Sequence, residues 1–172
     1  GDIKNSGLFK GSLEPNTTVS FAQKDGKTSI TKINAYAFCG CTNIQSVNIP
    51  DSVTEIGDYA FYNCNLIKSV NIPENVTVIG ENAFYNCGKI SSFTIPYGLK
   101  ELGKNAFCQC TGATFTIENP NFAKDNLTNT GITYVTGYDN STAREYYVKS
   151  VMPTLDDGIK ESRWVSLDGT TK

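Results

Sequence analysis

Apolar residues recur between residues 30 and 118 in whole blocks, not with the single period of a long helix or strand. ITKINAYAFCGCTNIQSVNIPDSV begins at 30, VTEIGDYAFYNCNLIKSVNIPENV at 53 and VTVIGENAFYNCGKISSFTIPYGL at 76, a step of 23 residues without a gap. Ile33, Ile56, Ile79 and Leu102 share one column, and Phe38, Phe61, Phe84 and Phe107 share another. Ala37, Ala60, Ala83 and Ala106 precede the phenylalanines, and Cys41, Cys64, Cys87 and Cys110 follow them. A fixed period of this size is the signature of a solenoid, in which no unit buries its apolar side chains alone and stacked neighbours share one core.

The local pattern changes within each unit. SVNIP and SFTIP alternate apolar with polar and end in proline, which predicts a short strand closed by a residue without an N–H. Between Ile56 and Ile67 the apolar residues fall at 56, 60, 61, 64 and 67, predicting a helical turn or an irregular curve. Gly57, Gly80 and Gly103 are expected to let the chain bend. Successive coils then pair their strands in parallel, about 4.8 Å apart.

These residues resemble a known family. IPDSVTEIGDYAFYNCNLI matches I-P-x-x-V-x-x-I-G-x-x-A-F-x-x-C-x-x-I, the hallmark of BspA-like leucine-rich repeats, and the match runs from 30 to about 118. The resemblance implies a leucine-rich-repeat solenoid of stacked 23-residue coils forming a parallel sheet, with short helical turns or irregular segments on the other side and capped ends. It also implies an extracellular or cell-surface protein, bacterial or protist, of a family in which several members are described as adhesins or host-protein binders.

The ends depart from the pattern. Residues 1–29 read as an N-terminal cap with a degenerate coil, in which Val19-x-Phe21 is a zeroth strand and Asp25-Gly26 a turn. The fourth unit places Phe115 and Ile117 one residue early, so one deletion after Ala113 restores the register. Residues 119–150 read as a C-terminal cap. Its GITYVTG is a strand, and Thr142 with Glu145 forms a capping box at the start of a short helix. GYDNSTAREYY also resembles the segment that often closes BspA-like arrays. The tail, 151–172, is either an extra strand pair or partly ordered.

Composition removes several functions. Of 172 residues none is histidine, so Ser–His and Cys–His nucleophile pairs are excluded. A net charge of −2 with scattered basic residues leaves no footprint for nucleic acid. No apolar run approaches the roughly 20 residues of a membrane span, so no membrane insertion is expected. No signal peptide opens the chain, as in a mature or trimmed form. Phosphate loops, nucleophile elbows, dinucleotide fingerprints and calcium loops are missing, and no enzyme is expected. Glu55 and Glu101 share a column with Val78 between them, which suits a solvated face better than a catalytic carboxylate pair.

The cysteine column could stack within disulfide range, but its parallel side chains suit buried thiols better. Cys39 and Cys108 stand where other coils carry Tyr62 and Tyr85. They lie roughly 14 Å apart at the coil spacing, too far to pair. The C-x-C spacing and the lack of histidine argue against zinc, so neither metal nor cofactor is expected.

Two exposed columns remain as binding candidates. The strand face carries Ser46, Ser69 and Ser92 with Asn48, Asn71 and Thr94, and in leucine-rich repeats the resemblance makes this the usual binding surface. The other carries Tyr62 and Tyr85, with Tyr36 and Tyr59 nearby. Both also fit a plain solvated surface or half-buried packing. The expected function is a non-catalytic module that binds a host or surface protein. A carbohydrate- or cell-wall-binding module is the first alternative, with tyrosines stacking on a glycan, and a structural spacer in a larger surface protein is the second.

Overall fold

The computed structural model describes residues 17–21, 30–111, 113–119, 134–137 and 164–166, the last two segments and residues 17 and 20 by backbone alone. Each coil runs through a long strand, a proline corner, a two-residue strand and a tight series of turns. Two families of parallel strands result. The short ones, β2 (Lys32–Ile33), β4 (Glu55–Ile56), β6 (Val78–Ile79) and β8 (Glu101–Leu102), form one sheet in chain order. The long ones are β1 (Thr17–Ser20), β3 (Ile44–Asn48), β5 (Ser69–Asn71), β7 (Ser92–Ile95), β9 (Thr114–Ile117), β10 (Tyr134–Gly137) and β11 (Trp164–Ser166). All pairings are parallel, as a solenoid of one hand requires.

The register follows the 23-residue step. Lys32 pairs with Glu55, Glu55 with Val78 and Val78 with Glu101, while Val47 pairs with Val70. Phe93 pairs with Phe115 and Ile95 with Ile117, so the single deletion of the fourth coil falls between Ala113 and Thr114. Val19 pairs with Val47, which makes the degenerate first strand a true member of the stack. Beyond the repeats, β10 pairs with β9 and β11 with β10, so residues 164–166 of the tail extend the sheet by one strand. The Asp25-Gly26 turn and the Thr142–Glu145 capping box lie outside the described residues.

The expected helical turn or irregular curve proves to be the irregular one, and one further expectation needs correction. The curve after Gly57 contains no helix among the described residues. It is a run of turns in which Ala60, Tyr62 and Cys64 each donate to the carbonyl three residues back. The intervening N–H groups instead reach the next coil, Tyr59 to Glu81, Phe61 to Ala83 and Asn63 to Tyr85. Half the donors of the turn are thus committed between coils, and an α-helix would take them all within its own.

Nor does the Gly57, Gly80, Gly103 column supply a left-handed bend, since none of these residues has a positive φ. A Cβ on Gly57 would sit 2.6 Å from the backbone nitrogen of Ala35, and one on Gly80 would sit 2.5 Å from that of Asp58. Glycine is needed because neighbouring backbones touch there.

The long strands are also less continuous than their columns suggest. β1-β3-β5 and β7-β9-β10-β11 are separate sheets. The opening coincides with a change from Val47 and Val70 to Phe93, whose ring needs more room and packs against Phe84, Phe107 and Phe115. Val70, facing this step, is only half-buried.

The core is a set of ladders. Phe38, Phe61, Phe84 and Phe107 stack with centroids 5.1, 5.1 and 5.5 Å apart, nearly parallel, and all are buried. Gly57→Ala is expected to lower stability by about 2 kcal/mol, because the clash is with backbone and outweighs the gain from a stiffer unfolded chain. Gly98→Ala, whose Cβ would find its nearest neighbour at 3.8 Å, is the matched control and should be near neutral in urea denaturation.

Candidate functional site

The two candidate columns lie on opposite sides of the coil. Phe84 in the turns and Phe93 in β7 meet across the core with centroids 5.5 Å apart. Tyr85 beside Phe84 and Thr94 beside Phe93 therefore point away from each other, and the structure does not unite the sets.

On the strand face Ser69, Ser92, Asn48, Asn71 and Thr94 are exposed and Ser46 is half-buried. Ser46 pairs with Ser69 and Asn48 with Asn71. The column then breaks at the sheet opening and resumes as Ser92 with Thr114 and Thr94 with Thr116. A hydroxyl contact of 2.8 Å joins Thr18 to Ser46. The face is a flat field of short polar groups without aromatic or arginine anchors. Glu55 and Glu101 do flank Val78, and Glu55 is taken up by an ion pair with Lys32.

The tyrosine face is organised more closely. Tyr36 stacks on Tyr59 at 4.9 Å and 5°, and Tyr62 stacks on Tyr85 at 5.0 Å and 16°. Tyr59 and Tyr62 approach to 5.5 Å, which joins the pairs into one group of four rings. Beside them Asn86 donates its amide to Asn63 at 3.0 Å, one coil to the next. Burial raises the phenol of Tyr59 above its ordinary value, and the carboxylate of Glu81 adds to the effect.

Backbone conformation singles out two of the four rings. Tyr36, Tyr59, Asn82 and Asn105 occupy one column, and all have positive φ, between 53° and 60°. Gly40, Asn63, Asn86 and Gln109 form a second such column. Asparagine and glycine suit this left-handed region, whereas a tyrosine there costs about 1 kcal/mol. Sequence reasoning saw the tyrosines but not this strain. The asparagines at equivalent positions were the available signal.

The cysteines form a ladder of thiols, with no disulfide among the six. Cys64 donates its thiol to the Phe38 carbonyl at 3.0 Å, Cys87 to Phe61 at 3.2 Å and Cys110 to Phe84 at 3.1 Å. Each is more than a small apolar filler, because it gives a buried carbonyl a partner in the adjacent coil. Burial pushes all three thiols up, that of Cys110 to about 12, so they resist thiolate chemistry at neutral pH. Cys39 and Cys108 are half-buried at the two ends of the Tyr62–Tyr85 column. Among the described residues no three histidine, cysteine or acidic side chains gather as a metal site would need. No helix of the described residues is long and apolar enough to cross a membrane. Burial raises the Cys108 thiol as well, so access decides: alkylation with iodoacetamide at pH 8 should label half-buried Cys39 and, more slowly, Cys108 in the folded protein, and the other four only in denaturant, as intact-mass spectrometry would count.

Comparison with known proteins agrees with this geometry. The BspA type leucine rich repeat region matches residues 16–133 in 6 copies. The T. pallidum leucine rich repeat protein superposes with a TM-score of 0.55 at 20% identity, over 73% of this chain and 70% of that one. The pneumococcal vaccine antigen PcpA gives 0.56 at 15% identity, over 63% of this chain and 28% of PcpA. A leucine-rich repeat protein from Bacteroides ovatus gives 0.49 at 23% identity, over 71% of this chain and 39% of that one. The first two likenesses show the fold. Comparison with curated proteins finds no match. With its repeats, its stacked coils and a family match over more than half its length, the chain belongs to the BspA type leucine-rich-repeat family.

Proposed function

We propose that the chain is a non-catalytic binding module, displayed on a cell surface or secreted, that docks a protein partner from a host on its rigid solenoid. The observation that carries this reading is the ordering of outward side chains into columns by a repeating backbone, which holds recognition groups in place before the partner arrives. Preorganisation of that kind reduces the entropy lost on binding. The family and its solved neighbours are leucine-rich-repeat proteins, and one neighbour is described as a vaccine antigen, a description that suits an exposed protein.

The glycan alternative is weakened by the tyrosine geometry. A sugar stacks on the face of an aromatic ring, and here each ring of a pair has one face covered by its partner, which leaves only the outer faces, that of Tyr36 among them. The spacer alternative draws support from length, since the chain spans 28% of PcpA.

An array of extracellular-matrix and plasma proteins, printed beside glycans, tests the reading. A saturable protein signal is the expected result. If it depends on the strand face, the N48A/N71A/T94A variant should lose it while keeping the wild-type melting curve. A glycan signal alone would replace this reading with carbohydrate binding, and silence on both would replace it with a spacer.

A further inference from the structure

Resting on that binding-module reading, we propose that the tyrosine face, and not the strand face, is the docking surface, and that it takes a cationic, arginine-bearing segment of a partner protein. The surface consists of Tyr36, Tyr59, Tyr62 and Tyr85 with the carboxylates of Asp58 and Glu81 beside them.

Three observations converge on this face. First, it concentrates aromatic side chains of the kind that dominate protein interfaces, joined into one group by ring contacts of 4.9, 5.0 and 5.5 Å. Tyr36 is 44% exposed, and among the described residues no further ring lies against its other side.

Second, the chain keeps tyrosine where its own geometry prefers asparagine. Asn82 and Asn105 occupy the same left-handed position in the third and fourth coils without strain, yet Tyr36 and Tyr59 occupy it in the first and second. Stability of the coil therefore does not call for these rings. Strain held in a surface cluster of one exposed and three half-buried rings points to recognition.

Third, the carboxylates of Asp58 and Glu81 stand outside any ion pair, although Lys104 holds the same column position in the fourth coil. Asp58 immediately precedes Tyr59. Its carboxylate accepts the Glu81 N–H at 2.8 Å, and the Glu81 carboxylate accepts the Asn82 side chain at 3.1 Å. Among the described residues the one ion pair is Lys32–Glu55, so Asp58 and Glu81 lack a cation. A segment with more than one arginine meets both needs, one guanidinium lying on the open face of Tyr36 and another setting its planar fork against the carboxylates one and two coils along. A second copy of this chain would bring the same carboxylates face to face, which disfavours self-association here.

The test uses the whole chain and a labelled peptide of alternating arginine and glycine, with lysine–glycine and glutamate–glycine peptides beside it. Fluorescence anisotropy should show saturable binding of the arginine peptide, weaker binding of lysine and none of glutamate. The affinity should fall as salt rises from 0.01 to 0.15 M and the Debye length shrinks from about 30 to about 8 Å. Y36N/Y59N installs the residue that the third and fourth coils already use. It should melt at the same or a higher temperature and bind about tenfold more weakly or worse. D58N/E81Q, which keeps the acceptor for the Glu81 N–H, should remove most of the salt dependence. No binding of the arginine peptide, or equal binding by wild type and Y36N/Y59N, overturns the proposal. A protein hit on the array that Y36N/Y59N leaves unchanged overturns this face but leaves the binding module standing, whereas silence across the array removes the module reading itself.

Discussion

The backbone hydrogen bond between coils is the constraint on which the rest of this structure depends. Each coil is too small to satisfy or bury itself, so its buried N–H and C=O groups must be met by the coils on either side. That requirement sets the separation of neighbouring coils, and side chains must accept it. The phenylalanine ladder, with centroids 5.1 to 5.5 Å apart, is the packing answer to a spacing chosen by the backbone. So is the glycine column, where the Gly57 N–H donates to the Ile33 carbonyl at 2.8 Å and any Cβ would strike the adjacent chain. The thiol ladder belongs to the same set. A cysteine is narrow enough for the turn and still brings a donor to the carbonyl of the coil before.

The turns show the constraint at its most demanding. To send alternate N–H groups outward along the stack, the chain must enter the left-handed region twice per coil. Gly40, Asn63 and Asn86 do so at small cost, and the side chains of Asn63 and Asn86 add a further bond between coils. Tyr36 and Tyr59 enter the same region with a bulky side chain. Their stacking at 4.9 Å recovers part of the cost, on the order of 1 kcal/mol for an aromatic pair. A bond of rings thus offsets a strain of backbone, on the outside of the coil, where packing would have been content with asparagine.

Much of this was legible before any coordinates. A period of 23 residues, proline closing each strand and alternation within SVNIP were enough for the solenoid, the parallel register and the core columns. The deletion after Ala113 was legible too, because Phe115 and Ile117 keep their alternation while changing phase. What escaped was whatever depends on distance between coils. Sequence spacing cannot tell a glycine that bends from a glycine that makes room, and Gly57 proved to be the second kind. It also cannot tell a helical turn from a series of three-residue turns, because both place Ala60, Phe61 and Cys64 inward. The opening between β5 and β7 escaped because Val and Phe count alike as apolar, although their volumes differ.

The candidate sites follow a different logic from the core. Where the coils agree, stacking dictates the residue: Ala37, Ala60, Ala83 and Ala106 are all fully buried, and a larger side chain has nowhere to go. Where they differ, stacking is indifferent or even opposed, and another demand has room to act. The strand-face column differs little, running through serine, asparagine and threonine, as any solvated sheet would. The turn face differs sharply, with Tyr59 above Asn82, Asp58 above Glu81 and then Lys104, and Tyr62 and Tyr85 bounded by Cys39 and Cys108. The repeat copies its core closely and departs from itself on one face, at a cost in backbone strain, and the proposed docking surface is assigned to that face for this reason.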